Sequence, residues 1–274
     1  MHAVKKWLKQ ACWQAGFEIR RRPATPAVAE RPAPPRMSLE GALQQVKQQG
    51  WQPGTVIDVG AAYGAFTATC RTFFPAAKYL LCEPLAEYQP FLARLMAELR
   101  DAEYIPAAIS AHSGEITIHV HPDFVGSSLY REDENSDVNG VPRVVPTMRL
   151  DDVLTKTPCP PPVLLKLDVQ GAEREALLGA ASLLPQIDVM MLEVSFFEFF
   201  KDAPQICEML AFLKQRGFVP YDLFGVQYRP LDQALSQVDL LFVKDDGLFR
   251  RHHFYATREQ REWQNQFLQR NMTG

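Results

Sequence analysis

Between Thr55 and Glu83 the chain reads TVIDVGAAYGAFTATCRTFFPAAKYLLCE. A β-branched run ends at Asp58-Val59-Gly60, small residues lead through Ala61 and Tyr63 to Gly64, and a second apolar run ends at Cys82-Glu83-Pro84. Glycine lets the backbone come close to a ligand. A carboxylate at the tip of the next strand can accept hydrogen bonds from two ribose hydroxyls. The chemistry implied is the binding of an adenosine-containing cofactor.

The spacing chooses among such cofactors. A pyrophosphate turn needs G-x-G-x-x-G, so that successive amides cradle two phosphates at a helix N-terminus. Here Gly60 and Gly64 stand apart, and Asp58 places a negative charge just before the turn. That suits a cationic ligand without phosphate. S-adenosylmethionine (SAM), which leaves as S-adenosylhomocysteine (SAH), fits better than a nicotinamide or flavin nucleotide. The structural alternative is that the glycines only make a tight turn.

A second group of residues follows in LLKLDVQGAERE and MMLEVSFFEFF. Lys166 and Asp168 lie two apart on one strand and so face the same side. A lysine inside a parallel strand needs a partner, and Asp168 is the nearest. Glu173 falls on the first turn of the next helix, where it can also simply favour the helix dipole. Glu193 ends a further apolar strand, and a lone buried acid there is costly unless paired or functional. Lys166, Asp168, Glu173 and Glu193 are the catalytic candidates. Asp168 or Glu193 can take the proton of an acceptor hydroxyl as general base. The same acids could instead hold a divalent metal that lowers the hydroxyl pKa, although three scattered acids with no ligand spacing give no metal site. Ser127-Ser128 beside Gly126 reads as part of a lid. His112, His119, His121 and the RRHH cluster at 250–253 read first as surface residues.

These residues require a β-α-β frame. Strands are expected at Thr55–Val59, Lys78–Cys82, about Glu103–Pro106, Val163–Asp168 and Asp188–Val194. Helices are expected at SLEGALQQVKQQG, Ala65–Phe74, Leu85–Leu99, Ala172–Ala180 and Pro204–Gly217. Alternation of this kind gives an α/β fold, a doubly wound, mostly parallel sheet with helices on both faces. Phe218–Leu223 and Asp239–Val243 form a terminal antiparallel pair, which completes seven strands. SGEITIHVHP, the loop GSSLYREDENSDVNG and VPRVVPTM form an inserted β/loop segment. Ligands of such sheets bind beyond the carboxyl ends of the strands. Ala108 and Ile109, after the third strand, would therefore border the adenine, Gly60 to Gly64 would underlie the methionine part, and Ser128 would close over the cofactor.

Composition sets the bounds. The 274 residues, 47% of them hydrophobic, suffice for one large α/β domain with additions. A net charge of -3 gives no general case for nucleic-acid binding. Five scattered cysteines without a C-x-x-C pair suit reduced thiols in a cytoplasm. No apolar run is long enough for a membrane span. Residues 1–22 read as a basic amphipathic helix, 23–36 as a Pro/Ala-rich linker, and 37–274 as the catalytic domain. The basic helix could touch an anionic membrane surface. It is expected instead to pack on its own domain, to pack on a second subunit in a homodimer, or to fray in solution.

At this point the motifs become specific. VIDVGAAYGAFT, the CEP at 82–84, AAIS after the third strand, GSSL and above all LLKLDVQGAEREALLGA resemble the FkbM-type methyltransferases over about two-thirds of the chain. The resemblance implies a class I SAM-dependent methyltransferase with a Rossmann-like fold. It further implies O-methylation of a hydroxyl on a sugar or glycan, a polyketide or a similar small acceptor. Ala62 stands where the family often has Asn, and Gln170 where it often has Glu. The second change weakens an acid–base role at position 170. The alternatives are a nucleotide-dependent oxidoreductase and a non-catalytic binding protein that keeps the fold.

Overall fold

The computed structural model describes residues 33–132 and 139–272. Helix α1 (Leu39–Gln48) leads into β1 (Thr55–Val59), α2 (Ala65–Phe73), β2 (Lys78–Cys82), α3 (Gln89–Met96), β3 (Ala102–Ile105) and β4 (Ala108–Ile109). Then come β5 (Gly114–Val120), β6 (Val141–Met148), α4 (Leu150–Leu154), β7 (Val163–Leu167) and α5 (Glu173–Leu178). The chain continues through β8 (Ile187–Ser195), α6 (Ile206–Lys214), β9 (Phe218–Tyr228), β10 (Leu235–Lys244) and α7 (Arg258–Met272).

One seven-stranded sheet runs in the order β3-β2-β1-β7-β8-β10-β9. The pairings from β3 to β8 are parallel, while β10 is antiparallel to both β8 and β9. The expected α/β fold with a terminal antiparallel pair is the one found. The inserted segment forms a second sheet, β4-β6-β5. Ala108 and Ile109, which follow the third strand, are a two-residue strand paired in parallel with Thr147 and Met148.

Strand parity decides what lies on each face. Ile57, Val59, Leu165 and Leu167 pack with Leu150 of α4, Leu177 of α5 and Met209 of α6. Val56, Leu81, Leu164 and Met191 pack on the other side with Leu43 of α1, Cys70 of α2 and Leu92 of α3. Asp58, Lys166, Glu193 and Asp239 have the parity of this second face. Four ionisable side chains therefore end up at one edge of an apolar layer.

The sheet order reverses between β1 and β7, and the carboxyl ends of these strands open a crevice. Ser38 caps α1, its hydroxyl accepting from the Gly41 amide at 3.1 Å. The stretch Leu85–Leu99 is not one helix. A 3-10 turn at Ala86–Tyr88 precedes α3, because Pro90 has no amide proton to donate and is accommodated only in the first turn. Helix α7 has no sequence counterpart above: none of its residues is buried, so no apolar stripe marks it. The basic helix 1–22 and nearly all of the linker lie outside the described residues. Pro34–Gly274 is a compact unit. The Pro35 carbonyl accepts from the Ser38 amide, and Arg36 pairs with Asp222 at 2.6 Å. Among the described residues no helix is long and apolar enough to cross a membrane.

Candidate active site

The crevice is a cleft of about 750 Å³, its open mouth included. Gly60 and Ala62 form its floor, Glu83 and Pro84 one side, and Asp168 and Gln170 the other. Gly60 adopts φ +74°, and a Cβ there would overlap the Asp168 carbonyl oxygen. Only glycine permits both the turn and the close approach of β1 to β7. The Gly60 amide donates to Cys82 O at 3.0 Å and its carbonyl accepts from Lys166 Nζ at 3.0 Å, so the turn is tied to both neighbouring strands.

Glu83 is buried at the tip of β2. Its Oε2 accepts from the Ala62 amide at 3.0 Å and its Oε1 from the Leu85 amide at 2.8 Å. An ionised carboxylate has about four acceptor positions, so two remain for ligand hydroxyls. Burial pushes the carboxyl up to about 7, and the two amides oppose that rise. The far wall is apolar: Ile109, Ile118, Phe124 and Leu129 all line it, and Tyr88 meets Phe124 edge-on at 6.1 Å. A flat, uncharged ring system fits such a wall beside a carboxylate with acceptor positions to spare. Ser128, also in the lining, donates through Oγ to the Gln170 carbonyl at 2.6 Å and so fastens the loop after β5 to the loop after β7.

Several expected ligand residues sit elsewhere. Asp58 does not face the cleft. It is fully buried beneath it, accepts from the Thr67 hydroxyl at 2.7 Å and pairs with Lys166 at 3.4 Å. The reason is parity, since position 58 points toward α2 while Val59 and Gly60 reach the mouth. Ala61 is buried in the core on the α2 side. Tyr63 is 57% exposed and outside the cleft lining. Gly64 caps α2 in the left-handed region, under Leu95. Gly60, Glu83, Pro84, Ala108, Ile109, Ser128 and Asp168 are brought together around one cavity.

Lys166 bridges Asp58 at 3.4 Å and Asp168 at 3.3 Å, with its ammonium 5.8 Å from the Phe66 ring centre. Burial alone would lower its pKa, but the two aspartates outweigh this and raise it. Lys166 is therefore a fixed positive charge and not a proton donor. Glu173 is buried, and its Oε1 accepts from the Val169 amide at 2.9 Å, which shapes the loop that follows β7. Burial raises it to about 7.

Glu193 lies behind the cleft in a set of side-chain amides. Gln170 donates to it at 3.3 Å, Gln227 at 3.1 Å and Gln237 at 2.8 Å. Burial, then the charges of Asp168, Asp239 and Glu173, push it up to about 8. Gln170 Nε2 also donates to Asp168 Oδ1 at 3.0 Å, from a residue held at φ +51°. A single amide thus connects the two candidate bases. Asp239, opposite Glu193 in the β8–β10 register and raised to about 7 by burial and then Asp168, completes the cluster. Sequence reading missed Asp239 and Gln170 as members. The signal for Asp239 was an acid in the apolar strand VDLLFV. Among the described residues no group of three or more His, Cys, Asp or Glu side chains is arranged to hold a metal ion.

The comparisons agree with this frame. The model of the methyltransferase FkbM domain matches residues 58–220, more than half of the chain, and the protein belongs to that family. The class is therefore a methyltransferase on a Rossmann-like α/β sheet, which does not favour the oxidoreductase alternative. No curated protein matches the sequence. Among solved structures, methyltransferase FkbM from Methylobacillus flagellatus KT is 14% identical with a TM-score of 0.42, over 68% of this chain and 43% of that one, less than half of its length. Magnesium protoporphyrin IX methyltransferase from Synechocystis PCC 6803, with bound SAM, is 13% identical (TM-score 0.42; 75% and 77% covered). The 1,6-didemethyltoxoflavin-N1-methyltransferase of Burkholderia thailandensis, with bound SAH, is 12% identical (TM-score 0.41; 89% and 89% covered). At these values the structural likenesses add no argument to the family match.

Proposed function

We propose that the cleft binds SAM and that the protein methylates a hydroxyl oxygen of a small-molecule or glycan acceptor. The observation that carries this reading is the link Asp168–Gln170–Glu193. A carboxylate on the cleft wall is joined through one amide to a second carboxylate whose pKa is raised to about 8. SAM when bound supplies an electrophilic methyl on a good leaving group. The residues of the chain do the rest. Glu83, fixed by two backbone amides, holds the ribose hydroxyls. Ile109 and Leu129 cover the adenine, and Ser128 pins the covering loop so that water is excluded. Alignment of acceptor and methyl at about 3 Å is worth on the order of 7–11 kcal/mol.

A hydroxyl is a weak nucleophile, so removal of its proton matters by roughly 10²–10⁴-fold. Asp168 is placed to accept that proton at the cleft wall, Glu193 stores charge behind it, and Lys166 stabilises the Asp168 carboxylate. A Lys or Arg at position 170 would replace the amide by a charge, and a Glu there would add a fourth acid to the cluster. Gln170 does neither and holds both oxygens in register. Scattered cysteines fit action in a reducing cytoplasm. The test is incubation with isotope-labelled SAM and a panel of hydroxylated acceptors, followed by NMR of the product. A new methoxy group is expected; a methyl on nitrogen or carbon would overturn O-methylation.

A further inference from the structure

Gln170 stands in a conformation that its residue type does not favour. Its φ is +51° and that of Gly171 is +93°, so both central residues of the turn from Val169 to Ala172 are left-handed. Glycine takes this region without strain, and asparagine or aspartate with little, but a glutamine has no such allowance. A strained residue persists only where its surroundings hold it, and such residues cluster at working sites. The side chain shows what is gained: its Nε2 donates to Asp168 at 3.0 Å and to Glu193 at 3.3 Å. Asparagine would suit the backbone better but is one methylene shorter. We propose that Ser128 is the positioning residue that holds Gln170 in this conformation, so that one buried hydroxyl on the covering loop sets the amide between the two acids. The inference rests on the methyl-transfer reading above for its consequence in catalysis, and adds to it a residue that touches neither reacting atom.

Ser128 is itself firmly placed. Its backbone exchanges two hydrogen bonds with His119 of β5, at 2.8 and 3.2 Å, so the smaller sheet fixes its position. Its side chain is buried. A serine hydroxyl has one proton and two acceptor positions. The proton goes to the Gln170 carbonyl at 2.6 Å, and one acceptor position takes the Tyr130 amide at 3.0 Å. Ser128 lines the cleft, but its proton is committed to Gln170 and not to a ligand.

Other restraints on this turn do not choose its hand. The Ala172 amide donates to the Val169 carbonyl at 3.3 Å, a bond that turns of either hand can form. The Glu173 carboxylate accepts from the Val169 amide at 2.9 Å, and Gly60 packs against the Asp168 carbonyl, but both act before position 170. The Ser128 hydroxyl acts on Gln170 itself. Carbonyl and side chain are carried by one Cα, so a hydroxyl that fixes the carbonyl also aims the amide. Without it the backbone can relax toward negative φ, and the side chain then leaves the gap between Asp168 and Glu193.

The experiment is NMR on the ligand-free full chain, with isotope labels in the glutamine side-chain amides and the glutamate carboxyls. Gln170 and Glu193 are assigned from the signals lost in Gln170→Glu and Glu193→Gln. In the parental protein the Gln170 amide protons are expected to exchange with water about tenfold more slowly than those of an exposed glutamine. Ser128→Ala should bring them to the exposed rate. It should also move the Glu193 titration upward by about one pH unit, through loss of one donor to the ionised carboxylate. Asp168, Asp239, Glu173 and Lys166 also face Glu193 and are the same in both proteins, so the difference reports the amide. Ser127→Ala is the control. Its Oγ accepts from the His121 amide at 3.1 Å, so this change loosens the same loop but spares the Ser128–Gln170 bond, and neither signal should move. Ser128→Thr keeps the hydroxyl and should restore both. In the labelled-SAM assay, Ser128→Ala should slow transfer about tenfold at pH 7, less than removal of a base, with its pH profile displaced upward. Parental exchange and titration in Ser128→Ala overturn the proposal, and so do equal changes in Ser127→Ala. Failure of the parental protein to bind SAH in calorimetry would instead overturn the methyl-transfer reading, while the two NMR signals still decide the positioning role.

Discussion

The two sides of the cleft hold their buried acids by opposite means. On the β1–β2 side, Glu83 receives backbone amides from Ala62 and Leu85. On the β7–β8–β10 side, Glu193 receives side-chain amides from Gln170, Gln227 and Gln237. Backbone donors are set by the fold and cannot turn away, so the first side is preformed for one ligand. Side-chain donors can rotate, and the second side carries far more charge: Asp168, Glu193 and Asp239 converge there with Lys166 as the buried cation among them. In the proposed reaction the first side would hold a constant cofactor and the second an acceptor that loses a proton.

The largest effect should come from removing charge on the acidic side. Asp168→Asn and Glu193→Gln keep shape, and in the proposed reaction each slows methyl transfer by roughly 10²–10⁴-fold if it acts on the acceptor proton. Single-turnover transfer to an identified acceptor checks this; parental rates in both variants would remove both residues from the chemistry. Because Glu193 is raised to about 8, and the ionised form is the one that stores charge, transfer should increase as pH rises through that value.

Lys166→Met tests how that side is held together. It leaves Asp58 buried without its cation, and breaking such a pair costs about 3–5 kcal/mol. Chemical denaturation of Lys166→Met, and of Lys166→Met with Asp58→Asn, should show a large loss that the second change partly restores. No recovery would mean that the lysine stabilises through Asp168 or Gly60 instead.

Glu83→Ala addresses the preformed side. Loss of a charged acceptor for two hydroxyls should weaken SAH by about 1.5–3 kcal/mol in calorimetry. Unchanged affinity would dissociate Glu83 from the ribose.

A smaller effect is the pH dependence of the acidic side, to which Glu83, also raised to about 7 on the other side, adds. Glu173 and Asp239 are raised to about 7 and Glu193 to about 8, so the folded state retains protons that the unfolded chain has lost. Stability gained from this cluster is full below the unfolded carboxylate values and is lost as pH rises toward 8. Because the acids titrate as a coupled set, the fall is on the order of 2–4 kcal/mol and not the sum of separate shifts. Denaturant midpoints of the ligand-free protein at pH 5.5 and 8.5 measure it by about that difference. Glu193→Gln should flatten the slope, and a slope unchanged by that variant would place the titration elsewhere.

The smallest effect concerns the amino-terminal segment. Deleting residues 1–32 should leave folding and SAH binding intact. Extending the deletion through Arg36 removes the ion pair between the exposed Arg36 and the largely buried Asp222, worth roughly 1 kcal/mol. Comparing the two truncations by thermal unfolding separates a tether from a structural contribution.

Much of this protein is legible in the order of its residues. Short continuous apolar runs and glycine turns set out β1, β2, β7 and β8, and a carboxylate at the end of β2 marks the side proposed for the cofactor, because these signals are local. The motif KLDVQGAE is local too and led to the right family. Other features depend on distance in the chain. Asp58 and Glu83 look equivalent in sequence, yet strand parity buries the first against Thr67 and leaves the second at the cleft. Ala61, Tyr63 and Gly64 belong to the same turn, but a turn has two sides and only one lines the cleft. Glu193 gains its partners from residues 170, 227 and 237, one loop and two strands that no periodicity relates. Short-range spacing fixes which backbone can bend and which strand can be buried. Only the closing of β10 against β8 decides which acids share a solvent-poor space, and so which of them has its pKa raised.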